Sequence, residues 1–224
     1  MSWWALPILV DPSTLQVSMA SLQIAGTVQS IVLVASAAAT GAWLGPRVGL
    51  AAPVAMASIS GRGAWAAMKP QLLPGAIGGI AGAAIVVGFH AFVPAEAAAL
   101  AERPPIPLPA RLLYGGITEE VLVRWGLMTL LVWLGWRTLQ RGTGNVSSAV
   151  MWLGIVLSAS LFGLSHVPAA AAALGDMPPH VLGYIVAGNG LFGLVAGYLF
   201  WRYGLDAAVI AHVLAHALAF VVRG

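Results

Sequence analysis

Residues 118–136 read TEEVLVRWGLMTLLVWLGW, with two adjacent acids, Glu119 and Glu120, then Arg124, then no further charge until Arg137. An apolar run of this length is what a helix needs to cross a hydrocarbon layer about 30 Å thick, which takes about 20 residues. Working outward, residues 15–44, 72–93, 146–165, 181–201 and 205–222 are apolar over similar lengths and are bounded by Gly, Pro or Arg. The first of these is the most polar, carrying Gln16, Gln23 and Gln29. A further short helix is expected within 48–60. The pattern predicts an all-α, polytopic transmembrane bundle of about six to seven spanning helices, with residues 1–224 forming a single integral membrane domain.

Composition agrees with that reading and removes other classes. The chain has 224 residues, 60% of them hydrophobic and 8% charged, against roughly 25% charged in an ordinary soluble domain. Such a chain is not disordered. It has no cysteine, so disulfides, a thiol nucleophile and thiolate metal ligands are all excluded. A net charge of +3 comes from ten basic residues scattered singly, which form no stripe for a phosphate backbone, so no nucleic acid partner is expected. Residues 1–10 lack a basic lead and run into Asp11-Pro12, which reads as an interfacial segment with Trp3 and Trp4 at headgroup level, not as a cleavable signal.

Prolines 104, 105, 107 and 109 predict a stiff linker before the 118–136 helix, because each ring removes a backbone donor and fixes φ. Glycines spaced by four, at Gly41/Gly45/Gly49, Gly78/Gly82 and Gly193/Gly197, predict close helix contacts. With six spans, one side of the membrane carries Arg47, Arg62, Lys69, Arg137, Arg141 and Arg202 and the other Arg103, Arg111 and Arg223. The positive-inside rule assigns the first side to the cytoplasm.

Most of the seven acids have ordinary explanations. Asp11, Glu96, Glu102 and Asp176 fall in loops, and Asp206 begins a helix, where a carboxylate suits the positive end. Glu119, Glu120 and Arg124 do not, since each charge inside a span costs about 2.5 to 3.5 kcal/mol at the bilayer centre and less toward its edge. Glu120 precedes Arg124 by four, the favourable order for an ion pair. On an α-helix of about 3.6 residues per turn Glu119 then points roughly 140° away from Arg124, toward a different wall. Held there, it is a candidate general base.

The histidines sharpen this. Phe162 and His166 share a helix face, as do His212 and His216. Helix direction brings His166 to the same side of the membrane as Glu119, with His212 about 10 Å deeper by a rise of 1.5 Å per residue. His90 and His180 have no partner at helical spacing and read as ordinary structural residues. A sunken pocket with carboxylate and imidazole walls suits hydrolysis within a membrane.

These residues carry a resemblance to the CPBP family of CAAX proteases and bacteriocin-processing (Abi) intramembrane proteases. Glu119-Glu120-x-x-x-Arg124 resembles its first motif, Phe162-x-x-x-His166 its second, and Gly193-x-x-x-Gly197 followed by His212-x-x-x-His216 its third region. The likeness spans residues 110–222. It implies an endopeptidase acting on a membrane-associated or lipidated peptide or protein, with Glu119 activating water, His166 holding or deprotonating it, and His212 and His216 stabilising the oxyanion. Glu120, Arg124 and Phe162 would support them. Many members have Asn where this chain has His216, and the four residues Glu119, His166, His212 and His216 also resemble a zinc site. No His-Glu-x-x-His is present, so a metal-free, glutamate-activated water is favoured over zinc. The resemblance also implies a bacterial or archaeal cell membrane. A proton- or cation-coupled transporter and a non-catalytic immunity scaffold are the competing classes; the lack of an internal repeat weighs against the first.

Overall fold

The computed structural model describes residues 17–100, 107–175 and 177–223. Readings that fall on residues 1–16, on Glu102, Arg103 and Pro104 to Ile106, or on Asp176 lie outside the described residues. The described chain is helical, without a strand. In order it forms α1 (Met19–Val48), α2 (Pro53–Ile59), α3 (Ala64–Ala91), a 3-10 turn (Ala95–Leu100), then α4, α5 (Ser148–Ser165), α6 (Val167–Leu174), α7 (Pro179–Tyr203) and α8 (Leu205–Arg223). Helix α4 is continuous but changes winding along its length: Leu108–Ala110 and Thr129–Leu139 are α-helical, while Arg111–Glu119 and Val121–Met128 are π-helical. Five stretches are long and apolar enough to cross a membrane: Met19–Val48, Ala64–Ala91, Ser148–Leu174, Pro179–Tyr203 and Leu205–Val222. The protein is a helical integral membrane bundle.

The short helix expected within 48–60 is α2. Two boundaries differ from expectation. Helix α3 begins at Ala64 and carries Pro70 and Pro74 inside it, since neighbouring helices let a membrane helix absorb the lost donors. Helix α4 begins at Leu108, with Pro109 in its first turn, where the missing N–H costs nothing. The last prolines therefore start the helix, and are not a linker ahead of it.

Glycines set the closest contacts. On α3, a Cβ at Gly75 would lie 2.7 Å from Ile210, at Gly79 2.6 Å from Leu214, and at Gly82 2.7 Å from Phe192. This face lies directly against α8 and α7. On α7, Gly193 and Gly197 meet Ala159 and Ile155 of α5. Gly41 and Gly45 of α1 make a notch for the Trp125 ring of α4, which lies 2.3 Å from where a Gly41 Cβ would stand. Gly49 acts differently: at φ 73° it ends α1 in the left-handed region, and nothing packs on it.

Trp125, Met128 and Val132 of α4, Ile155 and Phe162 of α5, and Phe192, Ala196 and Phe200 of α7 form the buried centre with the alanine face of α8. Asp206 differs from expectation in detail. Its Oδ2 accepts the Val54 N–H at 3.0 Å, so the carboxylate caps the start of α2 as well as opening α8.

Candidate active site

The site is built where α4 and α7 begin, α3 and α5 end, and α8 passes through its middle. Its first component is the winding of α4. Thr118 Oγ1 donates to Leu113 O at 3.3 Å and Thr129 Oγ1 to Arg124 O at 3.2 Å, each reaching back five residues as the backbone does in a π-helix. The α-helical winding assumed for residues 118–124 is thereby corrected. Residues five apart swing toward one another on the wider turn, so Glu119 is less opposed to Arg124 than about 3.6 residues per turn implies.

Glu120 and Arg124 are fully buried. Glu120 Oε1 faces Arg124 Nη1 at 3.1 Å and accepts from His212 Nδ1 at 2.7 Å. Arg124 Nη2 donates to the Gly193 carbonyl at 3.2 Å, and the guanidinium lies 4.8 Å from the Phe162 ring centroid. This supplies the compensation that a charge away from water requires. It is incomplete: Glu120 Oε2 and Arg124 Nε have no hydrogen-bond partner among the described residues. Unsatisfied buried groups are rare in structural cores.

The histidine rings are oriented by their acceptors. His166 Nδ1 lies 2.8 Å from Phe162 O, and a carbonyl only accepts, so Nδ1 carries the proton and a neutral ring is left with its lone pair on Nε2. His212 Nδ1 is likewise a donor, to the Glu120 carboxylate, leaving Nε2 as acceptor in the neutral ring and as donor only in the imidazolium. The His212 ring packs on Phe192 at 4.5 Å and stacks on His216 at 4.8 Å with an interplanar angle of 25°. Phe162 meets both His166 and His212 edge-on.

Glu119, His166, His212 and His216 all line one cavity of about 530 Å³. Glu119 is half-buried and within electrostatic range of His166, His212, Glu120 and Arg124. Glu120 stands behind the wall. The remaining lining is largely apolar and aromatic, and it belongs to the bundle end opposite Arg47, Arg62, Lys69, Arg137, Arg141 and Arg202.

Several contributors were not singled out by sequence reasoning. A Cβ on Gly115 would stand 2.6 Å from His216 Nε2, and one on Gly116 2.5 Å from Val213, so this glycine pair lets α4 approach α8. A Gly-Gly step in an otherwise apolar helix was the available signal. Arg111, Tyr114, Asn189 and Phe192 also line the cavity, as does His90, although it has no partner at helical spacing on its own helix. His180 stays outside it, bonded to Glu96 at 3.1 Å on the surface, and this hydrogen bond holds the Glu96 carboxyl below the usual carboxylate range.

Among the described residues no three His, Asp or Glu side chains converge closely enough to hold a metal ion. The four cavity residues share a wall without forming a ligand cage.

No curated protein and no solved structure matches the chain significantly. Residues 102–218, more than half of the chain, do match a family model, that of type II CAAX prenyl endopeptidases, Rce1-like. The matched segment contains α4 to α7 and most of α8, and with them every residue of the Glu120–Arg124–His212 cluster. Its functional class is peptide hydrolysis on a membrane-associated substrate, in keeping with a cavity sunk into an apolar bundle. The chain belongs to the Rce1-like family of type II CAAX prenyl endopeptidases.

Proposed function

We propose that the chain cleaves a peptide bond near the end of a membrane-associated or lipidated peptide or protein, using a water activated by Glu119. The observation that carries this reading is the lining of one cavity by Glu119, His166, His212 and His216, with the Glu120–Arg124 pair buried behind them. A water between the Glu119 carboxylate and the His166 Nε2 lone pair gives its proton to Glu119, and its oxygen bonds to the scissile carbonyl carbon. The resulting oxyanion faces His212 and His216. Glu119 returns the proton to the nitrogen as the C–N bond breaks, leaving a carboxylic acid and an amine.

Magnitudes suit this division. A positioned general base contributes about 10² to 10⁴ in rate, and an oxyanion donor on the order of 10² to 10³. For His212 to donate, its ring must be an imidazolium, since Nδ1 is already given to Glu120. The Glu120 carboxylate lies 2.7 Å from Nδ1 of that ring.

The test uses protein purified in detergent and a fluorogenic peptide ending in S-farnesyl-cysteine followed by three apolar residues. Wild type cleaves it, whereas Glu119→Gln and His166→Ala lose activity. Chelators leave the wild-type rate unchanged. Cleavage that survives both substitutions overturns the assignment. A zinc-dependent form of the same hydrolysis is favoured by one observation, the carboxylate on His212 Nδ1, an arrangement common behind metal-bound histidines. Stoichiometric zinc removed together with activity would establish that form instead.

A further inference from the structure

The first half of α7 sets one side-chain amide into an apolar stretch of the cavity wall. Asn189 lines the cavity beside Ile185, Gly188 and Phe192 of its own helix, and it is the one side-chain amide among the described lining residues. The glycines on either side of it fix its seat. A Cβ at Gly188 would stand 3.0 Å from the Phe89 ring of α3, and one at Gly190 would stand 3.6 Å from the Ala159 carbonyl of α5. Helix α7 thus lies against both neighbours at this level. The amide is oriented too, because Nδ2 donates to the Ile185 carbonyl at 2.9 Å. A carbonyl only accepts, so the nitrogen is turned to the helix, leaving Oδ1 as an acceptor and one Nδ2 hydrogen to give. Neither is bonded to another described residue, although the side chain is half-buried.

Packing gives its depth. Phe192 and Ala215 would lie 2.7 and 2.8 Å from a Gly82 Cβ, which puts residue 192 of α7 level with residue 215 of α8, next to His216. Asn189 is three residues nearer the beginning of α7, about 4.5 Å toward the cavity mouth at a rise of 1.5 Å per residue. An extended peptide advances about 3.3 Å per residue. A chain with its scissile carbonyl at the histidines therefore passes Asn189 one or two residues away. Once out of water, that chain needs partners for its own N–H and C=O groups, which are costly to bury unpaired. The amide offers an acceptor for the first and a donor for the second.

Resting on the peptidase reading above, we propose that Asn189 is a positioning residue that hydrogen-bonds the substrate backbone one or two residues from the scissile bond, its Oδ1 accepting a peptide N–H. It contacts main chain, so it holds a peptide in register without reading its side chains. The reacting atoms lie deeper in the cavity.

The experiment uses enzyme purified in detergent and the farnesylated peptide with single amide links, other than the scissile one, replaced by esters. Each ester removes one N–H. In wild type one ester, one or two residues from the scissile bond, lowers kcat/KM by roughly two- to tenfold, the worth of one hydrogen bond. In Asn189→Ala the all-amide peptide is slowed by a similar factor and that ester has no further effect. Asn189→Ser keeps a hydroxyl able to bond the carbonyl four residues back but is too short to reach the peptide, and it behaves as Asn189→Ala does. A purely structural role would slow every peptide alike and leave the ester effect in place. The wild-type scan needs no variant, so a folding failure does not shelter the proposal. A scan without a sensitive position, or an ester effect that survives substitution of Asn189, overturns its role and leaves the peptidase reading standing. Failure of wild type to cleave the all-amide peptide defeats both.

Discussion

Glu120 and His212, 92 positions apart in sequence, are joined at 2.7 Å through the same carboxylate oxygen that faces Arg124 Nη1 at 3.1 Å. One oxygen thus joins α4 internally and to α8. Its charge faces the Arg124 guanidinium on one side and the His212 ring on the other.

Glu120→Gln keeps the shape of the side chain and removes that charge. Arg124 is left buried without a counterion, which costs about 3 to 5 kcal/mol when a buried pair is broken. The expected result is a lower thermal midpoint in detergent, followed by helical circular dichroism, together with loss of turnover. Glu120→Gln combined with Arg124→Met removes the stranded charge and recovers part of the stability, though not the activity. A midpoint unchanged in Glu120→Gln would show that the pair holds nothing together.

Two glycines separate catalysis from folding. Gly115→Ala brings a methyl within 2.6 Å of His216 Nε2, the end of a side chain that can rotate away. This variant is expected to fold normally and to lose turnover. Gly163→Ala instead meets the Val186 carbonyl at 2.5 Å, backbone of α7 that cannot give way without moving a helix. It should destabilise by about 1 to 3 kcal/mol, the usual cost of overpacking. Gly183→Ala, with nothing within 4 Å, serves as the silent control. Equal effects of the first two on the thermal midpoint would refute the distinction.

Orientation is open to a clean measurement because the chain has no cysteine. The basic residues gather at the end opposite the cavity, and the positive-inside rule assigns that end to the cytoplasm. Ser60→Cys, in the loop after α2, should resist a membrane-impermeant maleimide in intact cells. Ala95→Cys, at the cavity end, should react with it. The reverse labelling pattern would place the cavity mouth in the cytoplasm.

Much of this was legible from scarcity. In a chain with few charges, Glu119, Glu120 and Arg124 stand out within an otherwise apolar helix and point to the candidate site. The helix periods of Phe162/His166 and His212/His216 supplied two more walls. Gly41, Gly45, Gly82, Gly193 and Gly197 were legible as contacts because small residues at that spacing let backbones approach. The winding of α4 was not legible, since no residue type specifies a π turn as proline specifies a break. Nor was the start of that helix, because a proline ending a linker and one opening a helix are the same residue. Arg111 was counted for orientation alone: sequence places it at a helix end, where a snorkelling cation is common, and only the packed bundle shows which way it faces. His90 was passed over for lack of a partner on its own helix, while its neighbours in the cavity come from others.

The π-helical stretches place an unusual constraint on how this protein can vary. Helix α4 holds more residues per unit height from Arg111 to Met128 than an α-helix would. Substitution at outward positions such as Leu113, 56% exposed, and Ile117, 42% exposed, exchanges one lipid-facing side chain for another. Removing a single residue lets the helix rewind and rotates Arg111 relative to Glu120 and Arg124. Related chains should therefore drift freely in the composition of this segment and hardly at all in its length.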